Sequence, residues 1–425
     1  MTTKAELIKD VVSADTTRKK DMVRASEMYA NSNAIKKTSK RVEAMKTCRN
    51  VIKYAIAFAD NSDTSITAKK LLQINTCKNR FCPGCQKAKA INDALDITTL
   101  SRYLTQEKKY RPLFITLTIP NVTGDELDNA IRKMNKDIDK LFRRKYYQEN
   151  MKAWIVKLEV TRNKENNTYH PHFHILAFVH KSYFYERNAD SFISIPMLRK
   201  DWQEVSNDER ITQVDIRKAK GRTKADREKA VLELAKYTAK SSDFLDSQEV
   251  FDTMYNALKG KQVIRFCGEL SILKKAYDFD KYGLFEKYAP KTEEMPELTH
   301  RLQLDWHKDV YEKTVSELNE DEKKELARTV ECETDKDFAD TYFDNLHKLY
   351  QTEQKIEMID TTDANEIEKE VLENELKNLK RKKSECNRKL TVMEYVAKNM
   401  YANFKFKEFD SEYDFLKAMD LICED

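Results

Sequence analysis

Three of the chain's seven histidines fall within five residues, His170-Pro171-His172-Phe173-His174, and their setting leaves little choice of backbone. The run continues as Ile175-Leu176-Ala177-Phe178-Val179. It follows Trp154-Ile155-Val156-Lys157-Leu158-Glu159-Val160-Thr161 across a polar turn at 162–168. Two β-branched, aromatic segments joined by a polar link read as an antiparallel hairpin. Alternate residues of a strand share a face, so His172 and His174 project together and Phe173 points the other way. Two imidazoles one pleat apart can grip one divalent ion, and Glu159 on the preceding strand offers a carboxylate. Oxygen beside two imidazoles suits Mg²⁺ or Mn²⁺ better than a soft metal. His170 is either a further ligand or a strand-entry residue ahead of Pro171, and the second is preferred. The bland alternative is a set of surface histidines on a half-exposed strand.

Other segments extend the hairpin into a sheet. Leu113–Ile119 is a buried strand closed by Pro120-Asn121, and Thr123 caps a charged helix reaching about Arg144. A helix near Pro196–Glu204, a strand over Ile211–Arg217, a helix from Ala225 to Ser241, a helix near Val250–Leu258 and a strand over Gln262–Phe266 follow. That order predicts an α+β fold with a mainly antiparallel sheet and helices on one face. Ahead of it lie a polar, loosely helical arm (1–45) and a cysteine-bearing region (46–110) with a helix around Val51–Ala59. The sheet domain is expected over 111–290 and an almost wholly helical domain over 291–425. In the latter, Leu372, Leu376, Leu379, Cys386 and Leu390 form a short heptad seam interrupted by Lys383. With 6 Gly and 7 Pro in 425 residues, long helices are expected.

The net charge of +5 conceals an asymmetry. Residues 1–290 hold 55 Lys and Arg against 37 Asp and Glu, net +18; the remainder holds 22 against 35, net −13. A basic front with an acidic rear suggests a polyanion-binding part and one that avoids polyanions, and phosphate-backbone contact is the commonest use of such a front. No apolar run approaches the roughly 18 residues of a membrane span, and the first residues lack a signal-peptide core. A soluble cytoplasmic protein without a membrane partner is the expectation, and the basic front reads equally as a polyanion-binding surface or as Lys-rich helices that are merely solvated. No GxxxxGK[ST] loop occurs, so the chain shows no nucleotide-driven motor motif.

Cysteines cluster at Cys48, Cys77, Cys82 and Cys85, the last two in a Cys-Pro-Gly-Cys knuckle. Four thiols suit a structural Zn²⁺. A redox pair is the rival, disfavoured because no strand is expected ahead of the knuckle. Separately, Glu233, Tyr237 and Lys240 share one stripe of the helix expected over 225–241. A tyrosine can act as a nucleophile with a glutamate one turn away as base. By itself ExxxY is weak in a chain with 20 tyrosines.

Together the cysteine knuckle, Phe114-Ile115-Thr116-Leu117-Thr118, Leu158-Glu159-Val160-Thr161, His170-Pro171-His172-Phe173-His174, Glu233-x3-Tyr237 and the region from Ala257 to Gly268 resemble the replication initiators of small rolling-circle plasmids. These belong to the single-tyrosine branch of the HUH endonuclease superfamily, with a ferredoxin- or RRM-like sheet. The resemblance implies a catalytic Mg²⁺ or Mn²⁺ on Glu159, His172 and His174, with Tyr237 as nucleophile on a DNA phosphate. It implies Glu233 as the residue that activates water for release, while Lys240 pairs with the phosphate or phenolate. It further implies a zinc-ribbon-like region on Cys48, Cys77, Cys82 and Cys85 that helps to bind origin duplex and exposed single strand. A host helicase and polymerase are the implied partners. The acidic rear exceeds what a minimal initiator needs and could bind a helicase, dimerise or regulate. A relaxase or transposase would use the same residues, and a non-catalytic zinc-containing DNA-binding regulator remains the alternative of a different class.

Overall fold

The computed structural model describes residues 6–35, 39–60, 62–184, 192–218, 241–279, 285–290, 296–327, 335–359 and 364–400. Its strands are, in order, β1 (Glu6–Leu7), β2 (Val51–Phe58), β3 (Ser65–Ile74), β4 (Arg111–Thr118), β5 (Met151–Asn163), β6 (Thr168–Val179), β7 (Val214–Lys218), β8 (Ile264–Gly268), β9 (His300–His307) and β10 (Val310–Glu317). They form two sheets, β7-β4-β6-β5-β8 and β1-β3-β2-β9-β10.

In the first sheet β6 is central, antiparallel to β4 and to β5. Alternation divides its residues cleanly. Leu113, Ile115, Leu117, Val156, Leu158, Val160, Phe173, Ile175 and Ala177 all lie in one core, each no more than 2% exposed. Against them pack Ile131, Met134, Ile138 and Leu141 of the helix Leu127–Arg143, at three- and four-residue spacing, and Leu198 and Trp202 of the helix Ile195–Ser206. The indole N–H of Trp202 donates to the Thr118 carbonyl at 2.8 Å, tying that helix to the end of β4. Burial of each such side chain contributes about 1.5–3 kcal/mol. A one-residue slip of β6 would expose Phe173 and Ile175 and bury the histidines, so the core pins the register. The fold is α+β with antiparallel sheets and a mostly helical C-terminal part; the helices Leu127–Arg143 and Ile195–Ser206 pack on one face of this sheet, and Lys157 of the other face lies beside the helix Pro83–Gln106.

The second sheet departs from expectation. Val51–Phe58 is a strand, not a helix, paired with β3 and β9. Its buried Ile52 and Ile56 stand four apart, a spacing that serves a helix face and a strand face equally. Only partners distant in sequence settle the choice. Beyond residue 290, where an almost wholly helical pattern was expected, Leu302, Leu304 and Tyr311 of the β9–β10 hairpin join Ile52, Ile56 and Ile66 in a second core. Its turn residues Lys308 and Asp309 both have positive φ, 44° and 66°. The Asn-Gly pair that advertises such a turn is absent.

The arm is a long helix, Ile8–Asn31, whose buried stripe runs Ile8, Val11, Asp15, Lys19, Met22, Ala25, Ser26 and Tyr29. Asp15 and Lys19 break the hydropathy period yet keep the spacing. Asp15 accepts from Tyr54 at 2.9 Å, and the Lys19 ammonium donates to the Cys48 carbonyl at 2.6 Å and to Asn50 Oδ1 at 2.8 Å.

The chain divides into two units, Met1–Cys267 with Ala289–Thr329, and Gly268–Tyr288 with Val330–Asp425. The expected borders near 45 and 110 therefore run through the first unit. Its core holds Met22 and Tyr29 of the first helix, Cys48 and Cys82, and Phe244 and Phe251 together. In the second unit the helix Glu366–Met400 carries the heptad seam, and the helix Asp335–Met358 packs on it. Leu379 and Leu390 are buried, and the Lys383 ammonium reaches Glu353 at 3.1 Å. Among the described residues no helix is long and apolar enough to cross a membrane.

Candidate metal centres

The face of the first sheet opposite the helices Leu127–Arg143 and Ile195–Ser206 carries the histidines. Glu159 on β5 stands in register with His172, and Lys157 with His174. On the other side Thr118 faces His172 and Thr116 faces His174. Glu159 Oε2 lies 3.3 Å from His174 Nε2 and 3.7 Å from His172 Nε2, with 11–20% of each side chain exposed. The far ring nitrogens are engaged: His172 Nδ1 lies 3.1 Å from the His170 carbonyl, and His174 Nδ1 lies 3.4 Å from Thr116 Oγ1. A proton on each Nδ1 would leave both Nε2 lone pairs free for a metal ion, the arrangement metal-binding imidazoles use.

Burial pushes the Glu159 carboxyl up, but hydrogen bonds and charge from His172 and His174 outweigh it and hold the group well below the usual range. It is an anion beside both imidazoles. Cis ligands about 2.1 Å from an octahedral Mg²⁺ stand about 3.0 Å apart, close to the spacing of Glu159 and His174. One carboxylate and two imidazoles, partly open to solvent, fit a divalent ion that keeps free positions for a substrate. His170 lies outside this trio, its ring stacked on His172 at 5.1 Å.

The four cysteines converge in the first unit. Sγ–Sγ distances are 3.6 Å for Cys77–Cys85, 3.7 Å for Cys48–Cys85 and 3.8 Å for Cys48–Cys82. Thiolates about 2.3 Å from a tetrahedral zinc have S···S edges of about 3.8 Å. The Cys77 backbone N–H donates to Cys48 Sγ at 3.3 Å. Without a cation such thiols cannot all ionise: hydrogen bonds among them push Cys77 and Cys82 up and hold Cys48 and Cys85 down. The donor set therefore fits zinc. A strand, β3, does precede the knuckle, so the sequence argument against a redox pair loses its premise. Convergence of four thiols, not two, takes its place.

Local contacts lock the knuckle. Arg49, itself at φ 58°, donates to the Gly84 carbonyl at 2.9 Å, and a Cβ on Gly84 would come within 2.6 Å of Met22 Sδ. Phe81 packs on Phe244, Phe251 and Tyr255 with ring centroids 5.2–5.6 Å away. Arg80 donates to the carbonyls of Leu258 and Lys261. The cysteine site is thus mounted rigidly on the unit that holds the histidines.

Glu233, Tyr237 and Lys240 lie outside the described residues. Three residues that motif reading passes over surround the two clusters: Thr116, Lys157 and Lys19. Thr116 and Lys157 had a signal in strand alternation, since each shares the face of the histidines. Lys19 had none. Burial lowers its ammonium, opposed by the charge of Cys48, Cys82 and Cys77.

Relatives of the chain are known. A family model described as a replication protein matches residues 68–314, more than half of the chain. A curated Protein rep from Staphylococcus aureus is 40% identical over 184 residues, covering 43% of this chain and 78% of the relative. One from Streptococcus pneumoniae serotype 2 is 30% identical over 236 residues, covering 55% and 71%. Another, from Bacillus amyloliquefaciens, is 29% identical over 256 residues, covering 56% and 73%. No solved structure matches. With the matched span running unbroken from β3 through the histidine strand to the β9–β10 hairpin, the chain belongs to the Rep family of replication proteins.

Proposed function

We propose that this chain initiates rolling-circle replication of a plasmid by nicking one DNA strand at an origin and later rejoining it. The observation that supports this reading best is the convergence of Glu159, His172 and His174 on one sheet face of a Rep-family chain. A Mg²⁺ or Mn²⁺ ion bound by these three would polarise the scissile phosphate and offset its developing charge. Tyr237 supplies the nucleophile: its phenol gives up its proton as its oxygen bonds to phosphorus, the bond from phosphorus to the 3′ oxygen breaks, and that oxygen takes up a proton in turn. A 5′-phosphotyrosyl link and a free 3′-hydroxyl for a host polymerase result, and a host helicase opens the duplex ahead. Bond energy is kept in the link, so no nucleotide hydrolysis is needed. For release, Glu233 takes a proton from a water whose oxygen attacks phosphorus, and the tyrosyl oxygen leaves protonated. Lys240 pairs with the phosphate or with the phenolate of Tyr237. Zn²⁺ on Cys48, Cys77, Cys82 and Cys85 holds the knuckle that helps to bind DNA.

The test is incubation of the purified chain, with and without Mn²⁺, with labelled single-stranded oligonucleotides tiling its replicon's origin, followed by denaturing gels. Metal-dependent transfer of label to the protein, lost in Tyr237→Phe, is expected. Label retained by Tyr237→Phe would move the nucleophile elsewhere, and no adduct from any oligonucleotide would overturn the reading. Glu233→Ala should form the adduct and fail to release it.

A further inference from the structure

Lys157 is a charged residue in an apolar strand, Trp154-Ile155-Val156-Lys157-Leu158, and it is 3% exposed. A buried ammonium is costly unless an anion meets it. Among the described residues its side chain has no ion-pair or hydrogen-bond partner, and it faces a cavity. The opposing charges that bear on it most are Asp93 and Glu159. Asp93 already pairs with Lys89 at 2.8 Å, and Glu159 faces the two histidines. Lys157 is a cation held ready with no partner of its own.

It lines a cavity of about 550 Å³, of the size that takes a nucleotide-sized ligand. The walls carry Lys78, Arg80, Cys85 and Lys89 from the knuckle and the helix it opens, together with the carboxylates Asp93 and Asp96 of that helix. Arg80 is committed to the carbonyls of Leu258 and Lys261. Lys157 stands two residues before Glu159 and in register with His174, on the strand that carries the carboxylate of the trio. The cavity therefore reaches from the thiol cluster, through Cys85, to the strand of the nicking site.

We propose that this cavity is a single-strand subsite in which the Lys157 ammonium takes a DNA phosphate neighbouring the one that is cut. The strand then runs from the histidine face past Lys157 towards the cysteine knuckle, with Lys78 at its exposed wall. This rests on the nicking reading and adds the path of the substrate strand. Lys157 is a substrate-binding residue, not a proton donor.

Each phosphate neutralised on single-stranded DNA steepens the salt dependence of log K by about 0.7. The experiment is equilibrium binding of a mixed-sequence single-stranded oligonucleotide at a series of KCl concentrations, with the zinc-loaded full chain. Lys157→Met should bind about tenfold more weakly with a slope shallower by about 0.7, while Lys157→Arg keeps the slope. Lys157→Gln reads the same loss should the methionine variant fail its melting control. An unchanged slope in both neutral variants, with the tyrosyl adduct still formed, overturns the subsite and leaves the nicking reading intact. A shallower slope in a chain that forms no adduct keeps the subsite and removes that reading. A wild-type chain that binds no single strand overturns both.

Discussion

The two ligand clusters of this chain answer different demands. Four thiols meet with Sγ–Sγ edges of 3.6–3.8 Å, Cys48 and Cys82 are fully buried, and every position of a tetrahedron is filled by protein. The other cluster brings three groups together at 3.3–3.7 Å and leaves one side open. Closed sites stabilise a fold, and open ones keep room for a substrate. The surroundings differ in the same sense. The thiols sit in the shared apolar core beside Phe81, whereas the histidines occupy the sheet face turned away from it. A cluster that belongs to the core and a cluster that is supported by it should fail in different ways when damaged.

The largest effect is expected at the closed site. Structural zinc supplies on the order of 10 kcal/mol of folding free energy in isolated peptides. Cys82→Ser should therefore lose the bound metal and most of the first unit's stability, read as absent zinc by elemental analysis and a collapsed thermal melt. A variant that keeps both would erase the distinction. At the open site, Glu159→Ala should reduce adduct formation by roughly 10²–10³-fold, the scale for losing one group that stabilises developing charge. Its melting transition should survive, because Glu159 takes no part in the core. A strong chelator should separate the sites likewise, abolishing nicking reversibly long before it unfolds the chain.

Gly84 tests the mounting between the clusters. A Cβ there would meet Met22 Sδ at 2.6 Å and the Arg49 side chain at 2.7–2.9 Å. Those atoms belong to a packed core and to a side chain bonded to the Gly84 carbonyl, so neither yields freely. Gly84→Ala should cost about 1–3 kcal/mol in denaturant melts while leaving adduct formation within a few-fold of the parent.

How far the sequence speaks differs between the two regions as well. The histidine sheet is local: β5 and β6 are adjacent in the chain, and His172, His174 and Glu159 follow from strand alternation alone. The cysteine region is held by β2 and β3, whose sheet is completed by β9 and β10 more than two hundred residues later. No local pattern distinguishes strand from helix at Ile52 and Ile56 until Leu302 and Leu304 are in place. The first helix hides its period for another reason, since its buried positions include Asp15 and Lys19. Their partners, Tyr54 and the Cys48 carbonyl, are invisible to hydropathy. Lys157 was legible in principle, as a lone cation in an apolar strand, but only a cavity gives it meaning.

The smallest effect isolates what orients the open site. Thr116 Oγ1 approaches His174 Nδ1 at 3.4 Å, long for a hydrogen bond, while His172 Nδ1 has a backbone carbonyl at 3.1 Å. Removing a ligand's outer partner costs about 10–100-fold in metal affinity, and the longer contact argues for the lower end. Thr116→Val keeps the β-branched shape that packs beside β6 and deletes only the hydroxyl. Half-saturation of nicking by Mn²⁺ should rise about tenfold, and the rate at saturating Mn²⁺ should return to near the parent value. An unshifted Mn²⁺ titration would mean that packing against Phe114, whose ring lies 5.6 Å from that of His174, suffices to hold the imidazole. A shift confined to affinity would instead show the second partner at work, with the carboxylate and the imidazoles still carrying the chemistry.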